Sequence, residues 1–291
     1  MVRYPDRMVL PRCVPPCLAA LIVACTTGAD ELSARPVRPL DDTATNTTDT
    51  DTDTDTDTDT DSDTDTDTDT DTDTDADLPS SDGSGGVYGS GSAAVGSSSY
   101  AYYAPECLRG ARDIAVVYTM HGSGGTGAPM VDAWRPVADD GCFLVVGLDS
   151  ESSRSWNFSG DVDNYAALYD LVDAQYDIAF RYLHGYSAGA HWTYIIGISN
   201  SELFSGLGVY AGSLDYAEAY GYWPDRTEVP IPVAIAHGTA DTTVPYSDAE
   251  HAYDELTGAG WPVDFYTIDG GTHAYDVSCQ ERAATFWWGK R

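Results

Sequence analysis

The chain has 291 residues, of which 14 are basic and 47 acidic, for a formal net charge of −33. Seventeen aspartates and no basic residue fall between Asp41 and Asp77, yet from Tyr100 onward 26 acidic and nine basic residues still remain. A surface this negative excludes nucleic acid and an anionic membrane surface as partners of the folded part.

In chain order, residues 1–25 read as a targeting segment. Arg3, Arg7 and Arg12 lead into the apolar run Leu18-Ala19-Ala20-Leu21-Ile22-Val23-Ala24, which ends at Cys25. Seven apolar residues are too few to span a bilayer as a mature helix. The string Ile22-Val23-Ala24-Cys25 resembles a bacterial lipobox, in which the cysteine is lipidated and becomes the mature N-terminus. The expectation is an exported protein, lipid-anchored through Cys25 at the bacterial cell surface or outer membrane, or else secreted. The membrane would be touched only through that anchor.

Residues 26–99 hold almost nothing from which to build a core. An Asp-Thr alternation is followed by "PSSDGSGGVYGSGSAAVGSSS". Period two suggests a strand only if one alternating residue is apolar, and neither is. The segment reads as a disordered tether, spanning roughly 50 Å as a flexible coil and roughly 200 Å if nearly straight. It lacks the glycine turns of dedicated calcium repeats, so a solvated spacer is the expected role.

Residues 100–291 are enough for one domain with a single core. Apolar runs recur at "DIAVVYTM", "CFLVVGL", "FRYLHGY", "SGLGVYAG", "IPVAIAH" and "VDFYTI". Between several of them lie "PMVDAWRPVADDG", "VDNYAALYDLVDAQY", "GAHWTYIIGI" and "YSDAEHAYDELTGAG", which read as helices. Near-continuous apolar strands with helical crossovers predict an α/β fold: a mostly parallel central sheet with helices on both faces. No large cap domain fits in the remaining length. Ligand-facing groups belong at the C-terminal ends of such strands. In an exported protein Cys107, Cys142 and Cys279 allow one disulfide and one leftover thiol, with all three pairings open. No C-x-x-C or His/Cys cluster at metal-ligand spacing appears, and neither a metal nor a cofactor is expected.

The strand ends carry "MHGSGG", "GYSAG", "HGTADTTVP" and "GGTHAY", in the chain order serine, acid, histidine. With these motifs the sequence resembles the α/β-hydrolases, and more narrowly the secreted esterases typified by polyhydroxybutyrate depolymerases and feruloyl or acetylxylan esterases. The resemblance is carried by His121 to Gly125, Ser155-Trp156-Asn157-Phe158, Gly185 to Gly189, His237 to Asp241 with Val244-Pro245, and Gly271-Thr272-His273. It covers nearly all of the chain after Tyr100. Many members have cysteine where this chain has Ser123 and Ser155, so any disulfide here is placed differently. His191-Trp192 is also bulkier than the family pattern.

The resemblance and the chemistry assign the same roles. Ser187 is the nucleophile, His273 its base, and Asp241 the carboxylate that orients the imidazole. The backbone N–H groups of Ser123 and Ala188 would form the oxyanion hole. Trp156 would line the substrate site. Asp215 is the competing acid, because some hydrolases take theirs after that strand. His191, His121 and His237 are expected to pack or order loops. The aromatic stretch with Tyr216, Tyr220, Tyr222 and Trp223 either stacks on a substrate ring or packs on the sheet edge. Together these features imply a serine esterase acting on a polymeric ester, either polysaccharide or polyester. A peptidase on the same fold and a non-catalytic surface-display protein are the alternatives.

Overall fold

A computed structural model of the chain describes residues 83, 85–152, 155–158 and 160–290. The targeting segment, Cys25 and the Asp-Thr run lie outside the described residues.

The described residues contain an eight-stranded sheet in the order β1-β2-β4-β3-β5-β6-β7-β8. In sequence these are β1 (Gly89–Val95), β2 (Ser98–Ala104), β3 (Ile114–Met120), β4 (Leu144–Leu148), β5 (Ile178–Tyr186), β6 (Gly206–Tyr210), β7 (Val233–Gly238) and β8 (Val263–Ile268). Strands β3 to β8 are parallel; β2 runs antiparallel to both β1 and β4. The helices are α1 (Gly127–Gly141), α2 (Asp161–Gln175), α3 (Ala188–Ser199), α4 (Asp215–Ala219), α5 (Tyr246–Gly258) and α6 (Ser278–Trp288).

The central strands are apolar at successive positions because both of their faces are covered. Along β3, Ile114, Val116, Tyr118 and Met120 join a core shared with α2, α3 and α5, while Ala115 and Val117 turn to α1 and α6. β4 divides in the same way, Leu144, Val146 and Leu148 against Val145. Under α1 and α6, Trp287 stacks on Trp134 and on Tyr182 with ring centroids 5.9 and 4.6 Å apart.

One boundary needs correction. The tether was expected to run to residue 99, but β1 lies inside that span and pairs with β2 from Gly89↔Ala104 to Val95↔Ser98. The hairpin turns on two residues, with Gly96 at φ 56°, a conformation that glycine adopts without a Cβ penalty. Strand β1 is built of Gly, Ser, Ala and one Val, so only Val95 marks a buried face. The backbone ladder and the neighbouring tyrosines of β2 hold it in place of an apolar pattern. The fold therefore begins before Tyr100.

Of the three cysteine pairings, the structure has Cys107–Cys142, joining the turn before β3 to the end of α1, and Cys279 is a buried thiol. The bridged residues are 35 apart in sequence, a loop whose closure is worth about 4 kcal/mol in the chain-entropy account. Among the described residues no helix is long and apolar enough to cross a membrane.

Candidate active site

Ser187 stands alone between β5 and α3, at φ 52° and ψ −119°. Non-glycine residues avoid this region at a cost of roughly 1–3 kcal/mol, so the surrounding structure must impose it. The two flanking glycines explain how. A Cβ on Gly185 would lie 2.2 Å from the Gly189 carbonyl oxygen, and one on Gly189 would lie 2.3 Å from that of Met120. Strand and helix thus meet backbone to backbone, and the serine between them is turned outward. Its N–H donates to the Tyr210 carbonyl on β6 at 2.9 Å, which pins the turn to the neighbouring strand.

The loop after β8 brings His273 to this serine. The His273 Nε2 and Ser187 Oγ are 2.9 Å apart, and Nδ1 lies 2.7 Å from Asp241 Oδ2. A carboxylate can only accept, so Nδ1 carries the proton and Nε2 is left to accept from the serine hydroxyl. Asp241 follows β7 and is buried; its Oδ1 accepts from the N–H groups of Thr243 and Val244 at 2.8 and 3.0 Å. Burial works against its charge, but the bonds from His273, Val244 and Thr243 outweigh it and hold the carboxyl below the usual range. Asp241 is thus an anion where the imidazole needs one.

The loop after β3 lies against the nucleophile: a Cβ on Gly122 would be 3.2 Å from the Ser187 Cβ. Ala188 is the first residue of α3. No protein acceptor takes the backbone N–H of Ser123 or of Ala188 among the described residues. Both donors are therefore available near Ser187, at a helix N-terminus and in a glycine loop where negative charge is favoured.

His121 holds that loop. Its Nε2 accepts from the Ser150 N–H at 3.1 Å, so Nδ1 bears the hydrogen and donates to the Gly122 carbonyl at 2.8 Å. His237 does similar work at the acid, its Nε2 donating to the Val244 carbonyl at 2.9 Å. Trp156 differs from expectation. It is only 6% exposed, its indole N–H donates to the His121 carbonyl at 2.8 Å, and its ring packs on His121. The side chain braces the loop and leaves little surface for a substrate. Asp161, itself buried, accepts from Glu151 and Asn157 N–H groups at 2.7 Å each and shapes the segment that carries the tryptophan.

The competing acid is not joined to the histidine of the site. Asp215 opens α4 and lies 3.4 Å from His251 instead. His191, one turn after Ser187, accepts the Ser213 N–H on Nδ1 at 2.9 Å and stacks on Tyr216 at 4.1 Å. Tyr220 packs on Phe158, so this aromatic segment is partly committed to packing, while Tyr216 keeps 40% exposure. Two tyrosines were not singled out in the sequence. Tyr186 donates its hydroxyl to the His273 carbonyl at 3.2 Å, and Tyr210 bonds the Ala274 carbonyl. They sit in register on adjacent strands, Tyr186↔Tyr210, and hold the histidine loop down. Their signal was a tyrosine at the end of two successive strand runs.

Buried His184 and half-buried His191 set an acid limit on the fold. Burial pushes His184 down to about 3 and His191 down to about 4. An unfolded histidine takes up its proton near pH 6.5. Below that value the unfolded chain binds more protons than the native one, and stability falls as pH falls. Carboxylates whose acidity burial weakens, such as Asp161 and Asp173, act oppositely at lower pH, so the clean window is pH 7 to 5. We expect the Tm to drop across that window and His191→Gln to flatten part of the slope. A Tm constant from pH 7 to 5 would contradict this account.

The strand order, the parallel sheet and a serine at the β5–α3 elbow are those of the α/β-hydrolase fold. Solved structures agree on the fold. A ferulic acid esterase superposes with a TM-score of 0.55 at 13% identity, over 69% of this chain and 98% of its own. An S-formylglutathione hydrolase from Agrobacterium tumefaciens gives 0.55 at 16%, over 70% and 96%. A protein described as a dipeptidyl aminopeptidase IV, from Bacteroides ovatus, gives 0.53 at 13%, over 69% of this chain but 35% of its own. No protein-family model and no curated protein matches the chain.

Proposed function

We propose that the chain is a serine hydrolase that cleaves carboxylic esters through an acyl-enzyme. The observation that carries this reading is the continuous relay from Ser187 Oγ through His273 to the buried Asp241, at 2.9 and 2.7 Å. Ser187 Oγ attacks the ester carbonyl carbon while its proton passes to His273 Nε2. The oxyanion is held by the N–H groups of Ser123 and Ala188, each worth about 3 kcal/mol in the transition state. The tetrahedral carbon then expels the alkoxide, which takes the proton back from His273. Water repeats the sequence on the acyl-enzyme, giving its proton to His273, and releases the acid with Ser187 restored.

An exported chain with no inserted cap among its described residues suits an ester borne on an extracellular polymer. Acetyl or feruloyl esters of polysaccharide come ahead of polyhydroxyalkanoate. Esterases among the fold neighbours support ester over amide chemistry, although the serine relay serves both. Acetylated xylan, methyl ferulate, polyhydroxybutyrate film and a peptide amide, each offered to the purified full chain, separate the readings. Turnover of the amide alone would move the protein to the peptidase alternative, and turnover of none would leave a surface-display role.

Export and anchoring through Cys25 belong to the same proposal, supported by the lipobox-like string. Cys25→Ser should release the protein from the membrane fraction or leave it unprocessed. Fractionation and migration identical to the parent would contradict the anchor.

A further inference from the structure

A second cluster of ionisable groups lies apart from the Ser187 relay, between α4 and α5. Asp215 and Glu218 are three residues apart on α4 and so share one face of it. His251 comes from α5, and one ligand atom from each of the three lies within 4.8 Å of the others.

The spacing inside this cluster is unlike that of a committed ion pair. His251 Nε2 is 3.2 and 3.3 Å from the two Glu218 oxygens and 3.4 Å from Asp215 Oδ1. A charge-assisted N–H···O bond closes to about 2.7–2.9 Å. The His273–Asp241 pair of the same protein does so, at 2.7 Å. His251 instead stands off three oxygens of two residues at nearly equal distance. Around a tetrahedral zinc ion with bonds of about 2.0–2.2 Å, neighbouring ligand atoms are about 3.3–3.6 Å apart. The distances from His251 are close to that edge length.

Charge points the same way. Asp215 and Glu255 both act on Glu218, and Asp215 acts on Asp248 in the first turn of α5; His251 faces these carboxylates, and Asp248 is also met by His237 and Ser213. A dication relieves that repulsion. An imidazole nitrogen beside two carboxylates suits zinc, whereas calcium and magnesium prefer oxygen alone. The Asp215 side chain is 65% exposed, which leaves the ion access to solvent water as a fourth ligand.

We propose that Asp215, Glu218 and His251 bind a zinc ion that clamps α4 to α5. None of the three belongs to the Ser187 relay, so the ion would act on stability. Tyr216, next to Asp215, stacks on His191, and the clamp would steady that stack as well.

The test uses the full chain, stripped with chelator, dialysed, and titrated with zinc chloride while binding and thermal unfolding are followed. We expect one saturable site per chain and a higher Tm with zinc. Glu218→Gln and His251→Ala should each weaken that site at least about tenfold. Asp215→Asn, at an exposed position, replaces His251→Ala if the latter misfolds. Serine-directed turnover should be the same in stripped and zinc-loaded protein. Three outcomes overturn the proposal: no saturable zinc binding, binding of equal strength in the variants, or stabilisation by calcium and not by zinc.

Discussion

Ser187→Ala will lower kcat by roughly 10⁴-fold or more, and His273→Ala will do nearly the same. The double variant should be little worse than either single one, because serine and base act on one proton and one bond. The basis is geometric: His273 Nε2 lies 2.9 Å from Ser187 Oγ, and among the described residues no other group hydrogen-bonds that hydroxyl. His191, one helical turn after Ser187, spends its Nδ1 on the Ser213 N–H. Asp241→Asn should cost somewhat less, since it leaves the serine and imidazole in place but removes the acceptor that fixes the tautomer. Asp215→Asn should cost little turnover, since that carboxylate is directed to His251. The measurement is kcat/KM on a short nitrophenyl ester. Single variants that each retain half of the parent rate would contradict the relay.

The second large effect concerns shape. Gly189→Ala should destabilise the fold by about 3 kcal/mol and lower its Tm by about 6–12 °C. The added methyl would sit 2.3 Å from the Met120 carbonyl oxygen and 2.7 Å from that of His121, and backbone cannot swing aside as a side-chain tip can. Relief would have to come from moving the loop that carries Ser123, so turnover should fall too. Gly258→Ala is the control. Its Cβ meets nothing within 4 Å, and near the end of α5 alanine should be neutral or stabilising by up to about 1 kcal/mol. Equal Tm values for the two variants would show that the elbow tolerates a wider turn than its geometry implies.

The parts of this molecule that could be read before folding share one property: their physics is local in sequence. Strands covered on both faces announce themselves as apolar runs, so β3 to β7 follow from residues 113–238, and the half-buried edge strand β8 follows from its β-branched and aromatic residues. The elbow glycines bracket Ser187 within five residues. Strand β1 could not be read, because Gly, Ser and Ala reveal no buried face and the strand exists through its pairing with β2. Helix α6, which packs Trp287 against Trp134, was hidden in a short terminal stretch following the histidine loop. Trp156 was visible as a residue of interest, but not its direction; only the 2.8 Å bond to the His121 carbonyl turns it from a substrate contact into a brace. Asp215, Glu218 and His251 are separated by up to 36 positions, so no ligand spacing marked them.

The central claim is that Ser187 is the nucleophile of an acyl-enzyme, and covalent capture tests it most directly. The purified chain is treated with a fluorophosphonate, and the modified peptide is located by mass spectrometry while ester turnover is followed. The account predicts one label per chain, on Ser187, with turnover lost in step with labelling and no label on Ser187→Ala. Ester turnover that persists in a fully labelled protein, or a label on another residue, would contradict it.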